Sequence, residues 1–377
     1  MSASTILISA GEASSDMYAA QLVTALRERT GANFFGMGGP HMAEAGVELV
    51  ANSHEIAVVG LAEALHKIPA VIRVQRRLAS EAAKRRPALA ILVDSPSTHL
   101  GVARRLKRMG VPVGYFIGPQ IWAWRAGRIR TIKRLVDKMV VIFPFEEKIY
   151  RNAGVPVDFV GHPLVDIVHP TSTRGEFAER HGLDASCPII ALLPGSRKTE
   201  IEHNYPRIIE ACEQLSRKTK VAGLQFVNAA APGLSRQFFA KNARPGVDVK
   251  HIEGAAYDVL AAADCGIVAS GTATVEAALL GTPMVVVYRL ATASAFFLRF
   301  MIRTPFFSMV NLIAGRRIVP ELIQDDFTPG AVSSEIGKLL ESRSAREEMR
   351  AGLAEVRNLL GPGGAIGRAA EAFRRML

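Results

Sequence analysis

Short apolar runs alternate with helix-length amphipathic segments along most of this 377-residue sequence. The runs have the length of strands, and the apolar residues of the segments between them recur at helical spacing. Strands that are buried on both faces are apolar throughout, and parallel pairing requires a long crossover such as a helix. The alternation therefore predicts an α/β fold with mostly parallel sheets and helices on both faces.

The alternation is interrupted by a stretch rich in Pro, Ser and Thr at 162–176, which we interpret as an interdomain linker. Candidate strands precede this stretch at 5–9, 88–93, 111–117 and 139–143, and follow it at 188–193, 224–229, 266–269 and 284–287. Candidate helices lie at 61–84, 100–109, 200–217 and 333–360. The sequence thus predicts two tandem Rossmann-like domains, 1–165 and 166–345, and a C-terminal helical segment, 346–377.

Composition narrows the class of protein. Hydrophobic residues make up 49% of the chain and charged residues 21%, which is a globular composition. The three cysteines form no CxxC pair, so neither a disulfide framework nor a zinc site is indicated. The N-terminus lacks the basic region of a signal peptide. The net charge of +11 favours an anionic partner, such as nucleic acid, acidic lipid or a phosphorylated substrate, or else a basic surface that serves only solubility.

The first strand is followed by the sequence GEASSD, from Gly11 to Asp16. Ligands of open parallel sheets bind at the carboxyl ends of the strands, so this junction is a candidate site. Gly11 allows a tight turn or the close approach of a ligand. Ser14, Ser15 or Asp16 could instead cap the following helix. A cap does not explain Glu12, so both interpretations stay open.

Asp94 follows an apolar strand, in the sequence Val93-Asp94-Ser95-Pro96. A carboxylate at a strand end can accept the proton of a hydroxyl nucleophile. The alternative is an Asp that ends the strand and caps the helix after Pro96.

Two further junctions have the chemistry of an anion site. In Leu193-Pro-Gly-Ser-Arg197, Gly195 and Ser196 would expose backbone N–H groups, and Arg197 adds a guanidinium suited to phosphate. In Ala269-Ser-Gly-Thr-Ala-Thr-Val-Glu276, a helix begins where its dipole favours a diphosphate. The residues concerned are Ser270, Gly271 and Thr272, with Glu276 one turn inside the helix.

The Glu276 carboxylate could accept hydrogen bonds from two hydroxyls, as on a ribose, or it could only stabilise the helix through a favourable interaction with the helix dipole. His162 could place an imidazole between the domains, although a lone histidine is more often structural. The spacing of His, Cys and Asp residues indicates no metal site and no Ser-His-Asp triad.

Taken together, these motifs resemble the lipid-A-disaccharide synthase family. The matching elements run from residue 11 to about 324 and are GEASSD, VDSP, GPQIWAW, FVGHP, LPGSRKTEIE, ASGTATVEAALLGTPMVVVYR, VNLIAG and VPELIQ. The resemblance implies a GT-B glycosyltransferase in which two Rossmann-like domains face a central cleft. It also implies an inverting reaction that joins UDP-2,3-diacylglucosamine to 2,3-diacylglucosamine 1-phosphate, giving the β(1→6) disaccharide 1-phosphate and UDP.

The resemblance assigns roles to individual positions. It implies that Asp94 is the general base for the acceptor hydroxyl, and that Glu276 contacts the ribose. The implied diphosphate site comprises Ser196, Arg197, Ser270, Gly271 and Thr272. The implied acceptor or donor-sugar contacts are Gly11, Glu12, Ser14, Asn311, Glu321 and Gln324. No cofactor and no metal are expected, because an arginine and helix-end amides can stabilise the departing UDP.

The implied substrates carry acyl chains, so we expect a cytoplasmic protein that associates peripherally with the inner membrane. Apolar residues at helical spacing, followed by arginines, resemble an interfacial helix. They are Leu61, Leu65, Ile68, Val71, Ile72, Arg73 and Arg76. The alternative is a buried helix face with a basic exterior. A second candidate is 296–303, and a homodimer is also implied.

Two rival functions share some of these sequence features. Another GT-B enzyme of UDP-N-acetylglucosamine, such as the lipid-II glucosaminyltransferase or an epimerase, would share a nucleotide helix but not the motif set. A nucleic-acid-binding protein would suit the charge, but the sequence has no recognisable nucleic-acid motif, so we expect no nucleic-acid partner.

Overall fold

The structure is a computed structural model that describes residues 4–56, 68–119, 126–231, 233, 234, 236–241, 244, 246–289 and 305–377. The chain divides into two compact units. Unit 1 comprises Met1–Pro163 with Leu360–Leu377, and unit 2 comprises Leu164–Leu359. The division after Pro163 falls inside the stretch interpreted as a linker, and the segment 346–377 is shared between the two units.

Unit 1 contains a seven-stranded parallel sheet in the order β3-β2-β1-β4-β5-β6-β7. Its strands are β1 Thr5–Ala10, β2 Asn33–Gly38, β3 Glu48–Asn52, β4 Leu89–Val93, β5 Val113–Phe116, β6 Lys138–Val141 and β7 Val157–Phe159. Its first helices are α1 Ala13–Thr30, α2 Pro40–Glu44, α3 Ile68–Arg85, α4 Pro96–Arg108, α5 Ile129–Leu135 and α6 Pro144–Asn152.

Unit 2 contains a six-stranded parallel sheet in the order β10-β9-β8-β11-β12-β13. Its strands are β8 Ile189–Leu193, β9 Gln225–Ala230, β10 Val249–Glu253, β11 Cys265–Ala269, β12 Met284–Tyr288 and β13 Glu321–Ile323. Its helices are α7 Leu164–Ile167, α8 Arg174–His181, α9 Lys198–Lys218, α10 Arg236–Ala240, α11 Ala256–Ala262, α12 Thr272–Leu279, α13 Met309–Ala314, α14 Pro329–Glu341 and α15 Arg343–Leu359.

The C-terminal helix, α16 Ala365–Arg374, returns to unit 1 and packs on α1. Phe373 fills the space above Gly114 of β5, where a Cβ would lie 2.5 Å from the Phe373 ring. The same ring meets Phe116 edge to face, with centroids 6.4 Å apart. This aromatic contact fixes the end of the chain to the sheet of unit 1.

The prediction of two parallel α/β folds is confirmed, but not every element was predicted. Strands β2, β3, β7, β10 and β13 were missed, because they are short or carry glycines and charged residues. The single helix predicted at 333–360 is wrong: α14 ends at Glu341, and Ser342 adopts an extended backbone with φ −111° and ψ 108°. The Ser342 hydroxyl accepts the N–H of Ala345 at 3.2 Å, which starts α15 as a separate helix.

Each sheet changes its winding direction between two neighbouring strands. In unit 1 this point lies between β1 and β4, and in unit 2 it lies between β8 and β11. The connections leave these neighbours in opposite directions, so a crevice opens at their carboxyl ends. Within the described parts of the chain, each helix is too short or too polar to cross a bilayer.

Candidate active site

The crevice of unit 1 brings together the turn after β1 and the turn after β4. A Cβ on Gly11 would lie 2.4 Å from the Ser95 Oγ, so a larger residue at position 11 would force the two turns apart. Two of the motifs found in the sequence are therefore in direct contact at the place where an open α/β sheet binds its ligand.

Asp94 occupies a strained position in this crevice. Its φ is 51° and that of Ser95 is 47°, so two successive residues with side chains adopt the left-handed region. Ser95, and not Asp94, is the N-cap residue of α4, and the helix has no side-chain cap. The alternative interpretation of Asp94 as a helix cap is therefore wrong, and its half-buried carboxyl is available for other chemistry.

The surroundings of Asp94 make its carboxyl a stronger base than an ordinary aspartate. Burial and, to a lesser extent, the negative charge of Glu12 raise the pKa of Asp94 from 3.8 to about 6, against the opposing effect of the Ser95 N–H. At pH 7 the group is still mostly ionised. This is the protonation state and the range of pKa that a general base requires at neutral pH.

The remaining residues of GEASSD divide between the site and the scaffold. Glu12 is exposed and is the N-cap residue of α1, whereas Ser14 is exposed on the first turn. The Ser15 hydroxyl accepts the Glu12 N–H at 3.0 Å and donates to the Glu12 carbonyl at 2.9 Å. The buried Asp16 carboxylate accepts N–H groups of Gly39, His41 and Met42 at 2.6, 3.0 and 3.3 Å. Asp16 therefore caps α2 and not its own helix.

In unit 2, a cavity of about 560 Å³ lies at the carboxyl ends of β8, β9, β10 and β11. Its lining includes Gly195 and four residues of the predicted diphosphate site, which are Ser196, Ser270, Gly271 and Thr272. Glu276 also faces it, together with Tyr257 and Glu200, which the sequence did not single out. The structure thus gathers most of the predicted nucleotide site into one cavity.

The loop after β8 is organised by Glu200. Its carboxylate accepts the N–H groups of Ser196 and Arg197, each at 3.4 Å, and the Arg197 guanidinium at 3.3 Å. The Ser196 N–H, expected to face a ligand, is therefore engaged by the protein. The Arg197 side chain is 57% exposed, so this surface ion pair constrains it weakly. Gly195 has φ 130° and lies against the Glu200 side chain.

The helix α12 also begins at this cavity. Gly271 is its N-cap residue, with φ 151°, and Thr272 is its first residue. The first N–H groups of a helix have no partner inside it, and its dipole favours an anion there. Ser270 is held by its N–H, which donates to the Val287 carbonyl at 2.9 Å. This end of the cavity suits a phosphate group.

Glu276 and Tyr257 form a polar pair on the cavity wall. The Tyr257 hydroxyl donates to the Glu276 carboxylate. Burial raises the pKa of Glu276 to about 7, against the opposing effect of this hydrogen bond. Burial and the Glu276 charge raise the pKa of Tyr257 to about 12. A carboxyl near its pKa at neutral pH can either accept from or donate to the hydroxyls of a bound sugar.

The buried Asn311 and the half-buried Glu321 form a hydrogen-bonded pair in the same unit. The Asn311 amide donates to the Val319 carbonyl and to Glu321 at 2.9 and 2.8 Å, and its oxygen accepts the Ile318 and Val319 N–H groups. The Glu321 carboxylate accepts the Phe307 and Ser308 N–H groups at 2.9 and 2.8 Å. These bonds satisfy the Asn311 amide within the protein.

Gln324 lies at the end of β13 with φ 54°. Its N–H donates to the Tyr288 carbonyl, and its carbonyl accepts the Arg289 guanidinium at 2.9 Å. The buried Asn204 accepts the Arg289 N–H at 3.0 Å and donates to the Pro194 carbonyl at 2.9 Å. Asn204 thereby connects the end of β12 with the loop after β8, and no local pattern in the sequence indicates this contact.

Only some of the apolar residues in the predicted interfacial segment are exposed to solvent. Ile68 and Ile72 are 49% and 37% exposed, and Arg73 and Arg76 are exposed beside them. Val71 is half-buried and packs against the core of unit 1, so the structure places it on the inner side of α3. Leu61, Leu65, the two tryptophans and the candidate segment 296–303 lie outside the described residues.

His162 is buried, and burial lowers its pKa to about 3, so the ring is neutral. It packs near Phe143, with ring centroids 5.2 Å apart. Among the residues that the structure describes, no group of three His, Cys, Asp or Glu side chains could hold a metal ion.

Solved structures with similar folds define the class of protein. A UDP-GlcNAc 2-epimerase from Neisseria meningitidis aligns with TM-score 0.68 and 13% identity, covering 98% of this chain and 100% of that one. Acinetobacter baumannii MurG aligns with TM-score 0.61 and 14% identity, covering 98% and 99%. With its two parallel Rossmann-like sheets, the chain has the GT-B fold.

Sequence comparison identifies the family. The family model for lipid-A-disaccharide synthetase matches residues 6–365. Lipid-A-disaccharide synthase of Myxococcus xanthus is 46% identical over 374 residues, covering 99% of this chain and 97% of that protein. The corresponding protein of Solibacter usitatus is 44% identical over 376 residues, with coverages of 99% and 97%. The chain belongs to the lipid-A-disaccharide synthetase family, as the motifs indicated.

Proposed function

We propose that this chain is an inverting glycosyltransferase that joins UDP-2,3-diacylglucosamine to 2,3-diacylglucosamine 1-phosphate, with Asp94 as the general base. The acceptor 6-hydroxyl attacks the anomeric carbon of the donor, the bond from that carbon to the diphosphate breaks, and Asp94 takes the hydroxyl proton. The products are the β(1→6) disaccharide 1-phosphate and UDP. The observation that carries this proposal is the half-buried Asp94 carboxyl with a pKa of about 6 at the switch point of unit 1.

The cavity of unit 2 is the proposed UDP site. The N-terminus of α12, from Ser270 to Thr272, receives the diphosphate, and Glu276 receives the ribose hydroxyls. Arg197 moves from its weak pairing with Glu200 to the diphosphate, where a fixed guanidinium stabilises the negative charge that develops on departing UDP. Because Glu200 holds the N–H groups of Ser196 and Arg197, we assign the loop's contribution to the Arg197 side chain.

The turn after β1 is the proposed acceptor wall. Gly11 brings the backbone close to Ser95, and Glu12 and Ser14 are exposed for hydrogen bonds to sugar hydroxyls. The charge of Glu12 also raises the pKa of Asp94. In unit 2, Asn311 and Glu321 act indirectly by holding the segment around α13, and Gln324 presents its side chain at the end of β13.

The exposed residues of α3 are the proposed membrane contact. Ile68 and Ile72 are one helical turn apart, and Arg73 and Arg76 lie beside them to pair with anionic lipid headgroups. We expect the double variant I68D/I72D to bind vesicles containing phosphatidylglycerol at least about tenfold more weakly, because two partly exposed isoleucines lose their insertion energy. Met109→Asp, at another exposed apolar residue of unit 1, is the control. Equal loss in both variants would remove α3 from the proposal.

The function is tested by incubating the protein with both lipid sugars, with wild type beside Asp94→Ala. We expect wild type to release UDP and form a diacylated disaccharide phosphate, and Asp94→Ala to lose about 10²–10⁴-fold in kcat. Epimerised UDP-sugar, or transfer to another acceptor, would contradict the substrate assignment. A fully active Asp94→Ala protein would remove only the assignment of the base.

A further inference from the structure

A cluster of three buried side chains lies behind the proposed base. The cluster consists of Ser9 from β1, His99 from α4 and Tyr115 from β5, and none of the three is more than marginally accessible to solvent. The Tyr115 hydroxyl donates to the Asp94 carbonyl oxygen at 2.6 Å. The His99 Nδ1 lies 2.6 Å from the same oxygen, and the His99 Nε2 lies 2.9 Å from the Ser9 hydroxyl.

The chemistry of the carbonyl fixes where the protons lie in this cluster. A carbonyl oxygen only accepts, so the His99 Nδ1 must carry a proton and donate. The ring is neutral, because full burial lowers the pKa of His99 to about 4. Its Nε2 is then the acceptor, and the Ser9 hydroxyl donates to it. The Asp94 carbonyl thus sets the tautomer of His99, Ser9 satisfies the remaining ring nitrogen, and His99 and Tyr115 together use both lone pairs of the Asp94 carbonyl.

This arrangement acts on a strained part of the backbone. Asp94 and Ser95 both lie in the left-handed region, which is unfavourable for residues with side chains. The conformation persists only where neighbouring groups enforce it, and the Asp94 carbonyl is held by two short hydrogen bonds from two different elements. Because the carbonyl carbon and Cβ are both bonded to Cα, holding this backbone also holds the direction of the Cα–Cβ bond from which the carboxyl extends.

We infer that His99 and Tyr115 are positioning residues that hold the Asp94 carboxyl in its reactive orientation, with Ser9 donating to the other ring nitrogen of the histidine. This inference rests on the proposed role of Asp94 as the base. The two residues act through the backbone of Asp94 and not on the substrate. Their loss should therefore lower the rate of the chemical step and leave the binding of both sugars largely unchanged.

The variants Tyr115→Phe and His99→Leu test the inference, because each removes one donor from the Asp94 carbonyl. We expect kcat to fall about 10–100-fold in each, as misplacement of a reacting group by a fraction of an ångström to one ångström does. The KM of both sugars should stay within about twofold. The variant His99→Asn should regain most of the lost kcat, because its amide nitrogen can occupy the place of Nδ1 and donate to the same carbonyl.

The matched control is Tyr150→Phe. Tyr150 is a buried tyrosine of the same unit whose hydroxyl donates to the Pro119 carbonyl at 3.1 Å. Its loss should lower the urea midpoint as Tyr115→Phe does and leave kcat within about twofold of wild type, which separates positioning from general stability. Tyr115→Phe removes a single oxygen atom, so it carries the test if His99→Leu does not fold.

The inference is overturned if folded Tyr115→Phe and His99→Leu keep wild-type kcat while Asp94→Ala is inactive. It is also overturned if His99→Asn is as slow as His99→Leu, or if Tyr150→Phe loses as much kcat as Tyr115→Phe. An active Asp94→Ala protein is a different result, because it removes the proposed base itself.

Discussion

The substitution Asp94→Asn separates the catalytic role of this residue from its effect on stability. Burial and the Glu12 charge raise the pKa of Asp94 from 3.8 to about 6. One pKa unit corresponds to about 1.4 kcal/mol, so a rise of about two units means that folding makes the ionised carboxylate about 3 kcal/mol less favourable. Asparagine has a similar shape and tolerates the left-handed backbone at this position, but it carries no charge.

The sign of the pH dependence follows from the raised pKa. The folded chain holds the Asp94 proton more tightly than the unfolded chain, so Asp94 costs stability at pH 7, where it is ionised in both states. This cost decreases as the pH falls from about 6 to 3.8 and is absent below that range. We therefore expect Asp94→Asn to be about 2–3 kcal/mol more stable than wild type at pH 7, and equally stable at about pH 3.5.

The same group governs the rate. In wild type, kcat/KM should fall about tenfold per pH unit below about 6, because protonated Asp94 cannot accept the hydroxyl proton. Asp94→Asn should lose about 10²–10⁴-fold in kcat at every pH. UDP release measured across the pH range and urea unfolding at the two pH values provide the data. The exposed Asp248→Asn serves as the control and should change neither quantity.

Two outcomes would refute this reasoning. If Asp94→Asn were less stable than wild type at pH 7, the ionised carboxylate would be stabilised by the fold and not penalised by it. If the acidic limb of kcat/KM lay near pH 4, Asp94 would titrate as an ordinary aspartate, and burial would not prepare it for proton transfer.

Two further predictions concern Asp16 and Glu276. Asp16→Ala leaves three N–H groups at the start of α2 without their carboxylate. Urea unfolding should therefore show a free energy of unfolding about 1–3 kcal/mol lower than that of wild type, while kcat of the folded protein stays unchanged. The control Glu28→Ala, at an exposed residue, should stay within about 0.5 kcal/mol of wild type. Glu276→Gln should bind UDP about tenfold more weakly above pH 7 by calorimetry. The ratio of wild-type to variant affinity should fall as the pH drops below 7, because Glu276 protonates there; a constant ratio would contradict the ribose role.

The sequence predicted the fold class because a strand buried on both faces is apolar throughout. This pattern can be recognised in the sequence without knowing which strands lie beside it in the sheet. The sequence located Gly11, Asp94 and Ser270 because a strand end is a local feature. The order of strands in each sheet is not local, so the sequence alone did not place Gly11 against Ser95. It also missed β2, in which Gly36 lies so close to the Ile8 carbonyl that a Cβ would be 1.7 Å away.

The supporting residues were missed for a related reason. Ser9 and Tyr115 read as ordinary strand residues, and His99 reads as a residue on the buried face of a helix. Ser9 and His99 are separated by 90 positions and Asp94 and Tyr115 by 21, so no local pattern connects them. A buried histidine and a buried tyrosine need hydrogen-bond partners, and this requirement is the signal that could have directed attention to them.

The stretch around the end of β1 affects the proposed base in several distinct ways. Ser9 donates to a histidine that holds the Asp94 backbone, and Gly11 makes room for the turn that contains Asp94. Glu12 raises the pKa of Asp94 through its charge. Asp16 contacts none of these groups and secures α2 instead. A substitution of Ser9 should therefore change the position of the base, and one of Gly11 should change its packing. A substitution of Glu12 should change the pKa of the base, whereas one of Asp16 should change only the stability of unit 1.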